Sequence, residues 1–568
     1  MIATRFRQIA LLLLAVAISA LAFIQMFQRT TGAFPVQYAI MLCAAAALFL
    51  VFCGLTARFQ PYASQSIMPC VLLLTATGIT MIARIDQSEG WDIAKRQIIW
   101  LYVALVLSTL IIVFLRDYRV LRRFSYVSMV VGLILLLSPM LPVIGTEING
   151  ARIWVRIPGL GSFQPGEFAK LFLAFFFAAY LFDHRDQLAV GGKKVLGLQL
   201  PRIKDLGPII VVCIASMGVL IVQHDLGTSL MFFAMFVAML YTSTGRKSWI
   251  VIGLIAFAAG AMLAASMLSH VGSRVDAWLH PFSNEQYTKS PGGSWQLVTG
   301  IFGLASGGMI GTGLGQGHPS LVTFANSDFI YASLGEELGL VGVMAILMLY
   351  LIIIASGFIV AMKIKDGFGK LLASGLVFTM AFQVFTVVGG ITLVIPLTGL
   401  TLPYMAAGGS SLIANYILAA LLIVISNSAN QPEPELTSDT FQHEALAALR
   451  NKELKARARA TEPIVRPRVA SATPHDVSEE ANDPQITNTA EEPEYTVRTG
   501  VIPSVPQVPS MPPAPPVPQI QTNFPIDTSN GGERALTNTC ASCLPPSSLC
   551  SWYSACHLPS SWPSAPAR

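Results

Sequence analysis

The chain has 568 residues, of which 53% are hydrophobic and 12% are charged, and its mean hydropathy is +0.61. This composition excludes an ordinary soluble protein and indicates a protein that lies mostly in a membrane. The net charge of +5 is small for this length, and no nucleic-acid partner is expected.

Apolar runs of about 18–25 residues, the length of a membrane-spanning helix, recur from residue 8 to residue 428. They predict an all-α polytopic membrane protein with about 12 transmembrane helices. The first run has no small-residue cleavage site, so a retained span is expected there rather than a signal peptide. The predicted spans are 8–27, 36–57, 66–84, 97–115, 125–145, 167–184, 207–224, 228–243, 248–270, 335–362, 371–395 and 410–428.

Basic residues fall on one side of the membrane when twelve spans are counted. Arg5 and Arg7 precede the first span, which predicts a cytoplasmic N-terminus. The same side then receives the later basic clusters, which are Arg116, Arg119, Arg122 and Arg123; Lys193, Lys194, Arg202 and Lys204; Arg246 and Lys247; and Lys363, Lys365 and Lys370. The loops 146–166, 271–328 and 396–409 are therefore expected outside, with the C-terminal tail in the cytoplasm.

Three regions follow from the composition along the chain. Residues 1–96 are expected to hold extra N-terminal helices, and residues 97–429 a membrane core whose large outer loop spans about 271–328. Residues 430–568 are rich in Pro, Ser and Thr, which is typical of a disordered tail. A short amphipathic helix is predicted within that tail at 441–461.

Carboxylates at the start of one apolar segment indicate a site. Asp328 ends the long outer loop, and Glu336 and Glu337 follow where the next helix should already lie in lipid. Ionisable groups at membrane depth are costly unless they face a polar cavity or a partner. These three carboxylates are therefore predicted to belong to a polar cavity.

A second outer segment carries an aromatic residue between two basic ones. Trp154 is flanked by Arg152 and Arg156, and it is either an interfacial anchor or part of a site. Glu167 and Lys170 lie three residues apart on one face of the next helix, so they can neutralise each other in the membrane. Their alternatives are a structural ion pair and a role in the cavity.

Other outer residues complete the predicted cavity. Asp225 either caps the following helix or faces the cavity. The outer loop supplies Arg274 and a glycine run over 307–317, which serves either turns or close approach to a ligand. Residues 395–403 are predicted to form a non-helical re-entrant stretch, after which Ser410 or Ser411 caps the last span. Arginines, an aromatic ring and a carboxylate suit a ligand with phosphates and sugars on a lipid tail.

Four segments, 149–170, 223–229, 307–342 and 396–411, closely resemble the SEDS family, which comprises RodA, FtsW and SpoVE. Members have ten spans, and two further N-terminal spans resemble the actinobacterial RodA branch. The resemblance implies a peptidoglycan glycosyltransferase that polymerises lipid II with a class B penicillin-binding protein, and further elongation or division machinery as partners. One departure is Ala406-Ala407, where the family has Ser-Tyr.

The resemblance also implies residue roles. Asp328 matches the essential aspartate of the family and is its expected catalytic base, and Trp154 matches a functionally important tryptophan. A divalent cation, Mg or Mn, is expected, with Asp328 as a candidate ligand, and no organic cofactor is expected. The implied location is the cytoplasmic membrane of a bacterium, with both termini in the cytoplasm and the reaction on the outer face.

Three other readings stay open at this point. A flippase or transporter for lipid II would use the same cavity, with half-helices near the midplane. A scaffold that only recruits a penicillin-binding protein would leave Asp328, Glu336 and Glu337 without a role. A cell-division glycosyltransferase of the FtsW type differs from an elongation enzyme only in its partners, and the extra N-terminal spans favour elongation.

Overall fold

The computed structural model describes residues 2–432, apart from 149, 158–160, 190–193, 196–197, 200–202 and 290–291, and it also describes Arg450. The chain is predominantly helical over this range. Its helices are α1 (Ile2–Thr30), α2 (Val36–Phe59), α3 (Ile67–Glu89), α4 (Ile93–Phe114), α5 (Val120–Arg123), α6 (Ser125–Leu137), α7 (Gly166–Asp183), α8 (Arg185–Ala189), α9 (Ile203–Val222), α10 (Leu226–Thr244), α11 (Ser248–Met267), α12 (Ser269–Leu279), α13 (Asn284–Thr288), α14 (Trp295–Ser306), α15 (Ile330–Lys363), α16 (Gly367–Ile391) and α17 (Gly409–Ala429).

Each of the twelve predicted spans overlaps one of these helices, which confirms the helical fold, although the predicted spans 125–145 and 248–270 run past the ends of α6 and α11. Within the described range, nine helices are long and apolar enough to cross a membrane. Two more, over Ser125–Met140 and Ile210–Val222, are apolar but shorter, and α7 carries Glu167, Lys170 and Asp183. The number of helices that cross the membrane therefore stays a prediction.

The centre of the bundle is α17. In its most apolar window 89% of the residues are buried, against 6% for α11, so α11 lies at the periphery. The helix α17 packs mainly against α4, while α3 and α16 are the next most buried helices. The helices α1 and α2 lie outside, where α1 packs on α3 and α2 packs on α4.

A small antiparallel sheet occupies the predicted outer loop 146–166. The strand β2 (Ala151–Ile157) pairs with β1 (Gly145–Ile148) on one side and with β3 (Gly161–Phe163) on the other. The sheet was not predicted, although the alternation of β-branched and polar residues along β2 is a typical strand signal. A two-stranded ladder also pairs β4 (Lys194–Val195) with β5 (Leu198–Gln199).

The predicted outer loop 271–328 contains helices. It contains most of α12 together with α13 and α14. Apolar residues recur through Trp295–Ser306, so this segment carries its own helical pattern. Trp278 on α12 donates a hydrogen bond from Nε1 to the Leu393 carbonyl at 2.8 Å, which holds α12 against the chain that follows α16.

The helix α15 is interrupted at Gly339, where φ is 69° and ψ is −176°. The glycine run that precedes Asp328 replaces the lost helical hydrogen bonds, since Gly313 N–H donates to the Glu337 carbonyl at 3.0 Å and Leu340 N–H donates to the Gly308 carbonyl at 2.9 Å. A Cβ at Gly311 would collide with the Glu337 carbonyl. These glycines therefore permit a close backbone approach to a helix of the same chain.

The predicted tail lies almost entirely outside the described residues. The amphipathic helix predicted at 441–461 lies outside the described residues, apart from Arg450.

Candidate functional site

The predicted outer segments meet at one end of the bundle, which we call the site face. Its centre is the non-helical stretch 392–408 between α16 and α17, as predicted for residues 395–403. Arg274 on α12 donates from Nη1 to the carbonyls of Leu397 at 3.3 Å and Thr398 at 3.1 Å. The α12 helix and this stretch are thereby fixed to each other.

Asp328 lies beside Arg274 on this face. A Cβ at Gly399 would lie 3.8 Å from Asp328 Oδ2 and 3.9 Å from Arg274 Nη1, so both side chains approach the same backbone position. Gly399 has φ of 75°, which favours glycine. Asp328 is half-buried, and among the described residues no donor is hydrogen-bonded to its carboxylate. The site thus holds an unpaired carboxylate next to a guanidinium.

A tight turn over 324–329 positions Asp328. The N–H groups of Ser327 and Phe329 both donate to the Phe324 carbonyl, at 3.0 and 3.2 Å. Phe329 is fully buried, and the Asn326 carbonyl accepts a hydrogen bond from Ala407 N–H at 2.8 Å. The carboxylate is therefore carried by a turn anchored on both sides to packed structure.

Burial raises the pKa of Asp328 to about 7, while Arg274 opposes this by lowering it and Asp225 raises it further. Burial has this effect because it penalises the charged form of a carboxyl group. A carboxyl group with a pKa near 7 is half ionised at neutral pH, which suits a group that accepts a proton and returns it.

Asp225 confirms its predicted helix-capping role. Its carboxylate accepts a hydrogen bond from Thr228 N–H at 3.0 Å at the start of α10. Burial raises the pKa of Asp225, and the hydrogen bonds from Thr228 act in the opposite direction, with smaller effects from Glu167 and Arg274. Asp225 therefore caps a helix and also lies within electrostatic reach of Arg274 and Asp328.

The predicted Glu167–Lys170 ion pair is present at 2.6 Å and is buried between helices. Lys170, only 1% exposed, also donates to Gln383 Oε1 at 3.1 Å and to Asn415 Oδ1 at 3.3 Å. The pair therefore joins α7 to α16 and α17. Removing either partner would leave an uncompensated charge inside the bundle.

Ser410 and Ser411 do not cap α17 as predicted, because both lie within its first turn. Ser410 Oγ instead accepts a hydrogen bond from Gln164 N–H at 2.9 Å, which ties the start of α7 to α17. Thr401 donates to Ser411 Oγ at 3.0 Å. Both serines thus hold neighbouring segments of the site face together.

Glu336 and Glu337 contact the glycine run and not Asp328. Glu337 forms an ion pair with Arg84 of α3 at 3.2 Å and accepts from Gly315 N–H at 2.9 Å. Glu336 accepts from His318 N–H at 2.8 Å. Since Arg84 also donates to the Gly317 carbonyl at 2.8 Å, this cluster fastens the loop that leads to Asp328.

The remaining predicted residues lie on β2. Arg152 is exposed and pairs with Glu147 at 3.2 Å, while its N–H donates to the Gln223 carbonyl, so the sheet borders the turn that carries Asp225. Arg156 is exposed and Trp154 is half-buried, opposite Thr146. The described contacts do not bring these three side chains to Asp328.

Sequence reasoning missed several residues that organise the site. Gln97 on α4 donates to the Ala406 carbonyl at 3.2 Å and accepts from Gly408 N–H at 3.1 Å, so it holds the turn that contains Ala406-Ala407. Gln383 holds Lys170 and also donates to the Thr401 carbonyl at 2.9 Å. An amide within an apolar span was the available signal, because such a group needs a buried partner.

The family described as "Cell cycle protein", comprising FtsW, RodA and SpoVE, matches residues 59–431. The matched range includes α3 and α4, so it begins well before residue 97, and it excludes α1 and almost all of α2.

Peptidoglycan glycosyltransferase RodA of Mycobacterium tuberculosis strain H37Rv is 46% identical over 382 residues, which are 66% of this chain and 80% of that protein. Probable peptidoglycan glycosyltransferase FtsW of Trichlorobacter lovleyi is 31% identical and covers 63% of this chain and 91% of its own.

A solved structure from work on a peptidoglycan synthase complex that coordinates polymerization and crosslinking is also similar. It has a TM-score of 0.52 and 26% identity, and the match covers 65% of this chain and 99% of that one.

Proposed function

Since this chain belongs to the FtsW, RodA and SpoVE family of cell cycle proteins, we infer that it is a peptidoglycan glycosyltransferase. It spans 80% of the length of the 46% identical RodA proteins of mycobacteria, and these bear that activity in their names. Its substrate is lipid II, the disaccharide-peptide unit on a polyprenyl diphosphate. The observation that carries this assignment to a residue is Asp328, an unpaired carboxylate with a pKa near 7 beside Arg274.

In the proposed reaction, Asp328 accepts the proton of the acceptor sugar's 4-hydroxyl as that oxygen attacks the anomeric carbon of the donor. A new carbon–oxygen bond forms, and the bond from the anomeric carbon to the pyrophosphate oxygen breaks. Polyprenyl pyrophosphate leaves as the anion, carrying the electron pair of that bond. Arg274 supplies positive charge at the centre of the site face, where it stabilises charge that develops on the leaving group.

A divalent cation at this site would take most of its ligands from the substrate and from water. Within the described part of the chain, no group of three His, Cys, Asp or Glu side chains is placed to hold a metal ion. Mg²⁺, however, is commonly bound by one or two carboxylates together with substrate phosphates and water. Asp328 is free to provide such a carboxylate, and the ion would neutralise charge on the departing pyrophosphate.

The site face is proposed to lie on the outer side of the cytoplasmic membrane, with the N- and C-termini in the cytoplasm. The arginines near α5 contact the far ends of helices that begin or end at the site face, since Arg122 pairs with Asp183 at 2.5 Å and Arg119 pairs with Asp366 at 3.9 Å. Basic residues mark the cytoplasmic side of membrane proteins. The opposite end, which carries Asp328, is then external.

The proposed partner is a class B penicillin-binding protein that crosslinks the strands made here. The similar structure comes from a synthase complex that couples polymerization to crosslinking, which supports a partner of that kind. Higher identity to RodA than to FtsW favours work in cell elongation over division. Other elongation proteins are expected to bind the same assembly.

The decisive experiment is lipid II polymerisation by the purified protein and its partner, with crosslinking blocked and Mg²⁺ supplied. We expect glycan strands from the wild type and none from Asp328→Ala. Asp276→Ala is the matched control, because this exposed aspartate lies two residues from Arg274 on α12 and should leave the activity intact. Equal product from Asp328→Ala would remove the residue from catalysis. Transbilayer movement of lipid II without product would instead indicate the flippase.

A further inference from the structure

A groove opens on the site face between the α3–α4 turn and residues 319–326 that precede Asp328. It has a volume of about 680 Å³, within the usual range of small-ligand pockets, roughly 300–1,000 Å³. One wall is formed by Glu89, Trp91 and Arg96, and the other includes Phe324 and Asn326. None of the residues assigned above to the reaction lines it, so we call it the Trp91 groove.

The groove ends close to the proposed base. Asn326 lines it, and Asp328 follows only two residues later, so their Cα atoms are no more than about 7 Å apart. Asn326 is also fixed to the central stretch through its hydrogen bond from Ala407. A chain molecule seated in the groove would therefore reach the reacting centre with one end.

The groove presents two exposed aromatic rings. Trp91 is 48% exposed and Phe324 is 41% exposed. Phe324 has φ of 55°, an unusual conformation for a bulky residue, and the surrounding turn maintains it. Flat aromatic faces pack well against the apolar C–H faces of sugar rings, while each ring leaves the sugar hydroxyls free for polar partners.

The charged residues of the groove favour the saccharide over the pyrophosphate and the lipid tail of the substrate. Glu89 and Asp92 line the groove with Arg96, so carboxylates can accept hydrogen bonds from hydroxyl and amide groups. Asp92 is also paired with Lys95 at 2.8 Å, and Glu89 is exposed, so a pyrophosphate would meet two carboxylates and a lipid tail would cover charged groups that are now solvated. A saccharide offers hydroxyl and acetamido N–H groups to Glu89 and carbonyl oxygens to Arg96.

We propose that the Trp91 groove binds the saccharide units of the growing glycan strand next to the reacting centre, with the sugar rings stacked on Trp91 and Phe324. This inference rests on the proposed glycosyltransferase function. Holding the strand between successive additions makes the enzyme processive, because a strand that stays bound is elongated again before it dissociates.

Trp91→Ala is the variant that tests the groove. Its side chain is largely exposed and its backbone turn is secured by Gly90, with φ of 70°, so the fold should survive. Trp91→Phe keeps an aromatic face. Trp295→Ala is the matched control, because Trp295 is 50% exposed, packs on Tyr287 and lies outside the groove.

Two measurements are made on each variant. Calorimetric titration of the full chain with a soluble tetrasaccharide of alternating N-acetylglucosamine and N-acetylmuramic acid should give binding that Trp91→Ala weakens about threefold to tenfold. The polymerisation assay should give shorter strands from Trp91→Ala, near-normal strands from Trp91→Phe, and wild-type strands from Trp295→Ala.

The possible results separate the proposals. Tetrasaccharide binding that Trp91→Ala leaves unchanged, or no binding by the wild type, overturns the groove assignment whether or not the protein polymerises lipid II. Wild-type strand lengths from Trp91→Ala overturn it as well. Loss of partner capture by Trp91→Ala with unchanged sugar binding would make the groove a protein-docking surface. Sugar binding that depends on Trp91 in a protein without polymerase activity would preserve the groove and remove the proposed function.

Discussion

Replacing Arg274 with Gln should move the pH dependence of the reaction to higher pH. The guanidinium lowers the pKa of Asp328 by favouring its charged form. Without that charge the pKa rises, and a higher pH is needed to produce the carboxylate that acts as base. The ascending limb of kcat/KM against pH reports this pKa in the free enzyme.

The structure sets a lower limit on the rise in the pKa of Asp328. Arg274 Nη1 and Asp328 Oδ2 lie 3.9 and 3.8 Å from the same point above Gly399, so the two atoms are no more than about 7.7 Å apart. At that separation two unit charges interact by about 0.5 kcal/mol in water and by about 2 kcal/mol at an effective dielectric constant of 20. Because 7.7 Å is the largest possible separation, the pKa of Asp328 should rise from about 7 to at least roughly 7.4 with the dielectric constant of water, and to at least roughly 8.6 with the value of 20.

The assay is initial-rate polymerisation from pH 6 to pH 9.5. At pH 7 the rate of Arg274→Gln should be about twofold to twentyfold below that of the wild type at the same pH. Arg274→Lys is the control, because it keeps a positive charge while it breaks the planar contacts to the Leu397 and Thr398 carbonyls. A loss that is equal at every pH, with the limb unmoved in Arg274→Gln, would refute the electrostatic role and leave Arg274 as a substrate-binding or structural residue.

Three further predictions concern stability, each measured as the midpoint of thermal unfolding in detergent. Gly311→Ala should cost about 2 kcal/mol more than Gly308→Ala, because both have positive φ but only a Cβ at Gly311 meets backbone, and equal losses would contradict the close approach. Lys170→Met should cost about 3–5 kcal/mol, since it leaves Glu167 charged and buried, and adding Glu167→Gln should restore part of that loss. Asp328→Asn should raise the midpoint more at pH 8 than at pH 5. The folded pKa of about 7 exceeds the unfolded value near 3.9, so the ionisable carboxyl lowers the free energy of unfolding as pH rises from about 4 to about 7, and a gain that does not depend on pH would oppose this reasoning.

The parts of the fold that depend on local pattern were predictable. Runs of apolar residues located the helices, and the three-residue spacing of Glu167 and Lys170 identified their ion pair. A helix cap was one of two alternatives for Asp225, because a carboxylate directly before an apolar segment can accept a backbone N–H, and the structure shows that cap. Asp328 was singled out because an ionisable group beside a span needs a reason to be there.

The parts of the fold that depend on long-range contacts could not be predicted from the sequence. Glu336 and Glu337 looked like cavity residues, yet they bind a glycine loop and Arg84, which is more than 250 residues away in the sequence. No periodic pattern carries that pairing. Ser410 and Ser411 were candidates for the N-cap of α17, but the helix already begins at Gly409. Their hydroxyls therefore bind other partners, such as Gln164 N–H at Ser410.

Each buried or half-buried carboxylate described around the site has an ion-pair or hydrogen-bond partner, with the exception of Asp328. Lys170 neutralises Glu167, Arg84 neutralises Glu337, and Asp225 accepts hydrogen bonds from its own helix. Among the carboxylates described here at the site face, Asp328 is the one left half-buried without a hydrogen-bond donor, although Arg274 lies near it. A buried polar group without a partner destabilises a protein, so the rest of the fold must offset this cost. Three sets of contacts hold Asp328 in this position: the turn at Phe324, the hydrogen bonds of Arg274, and the hydrogen bonds that Glu336 and Glu337 accept from the preceding loop. In this position the ionised form of Asp328 is disfavoured relative to the protonated form. A partner supplied to Asp328 by mutation should therefore stabilise the protein and reduce catalysis together, as expected for a base that must remain free to take a proton.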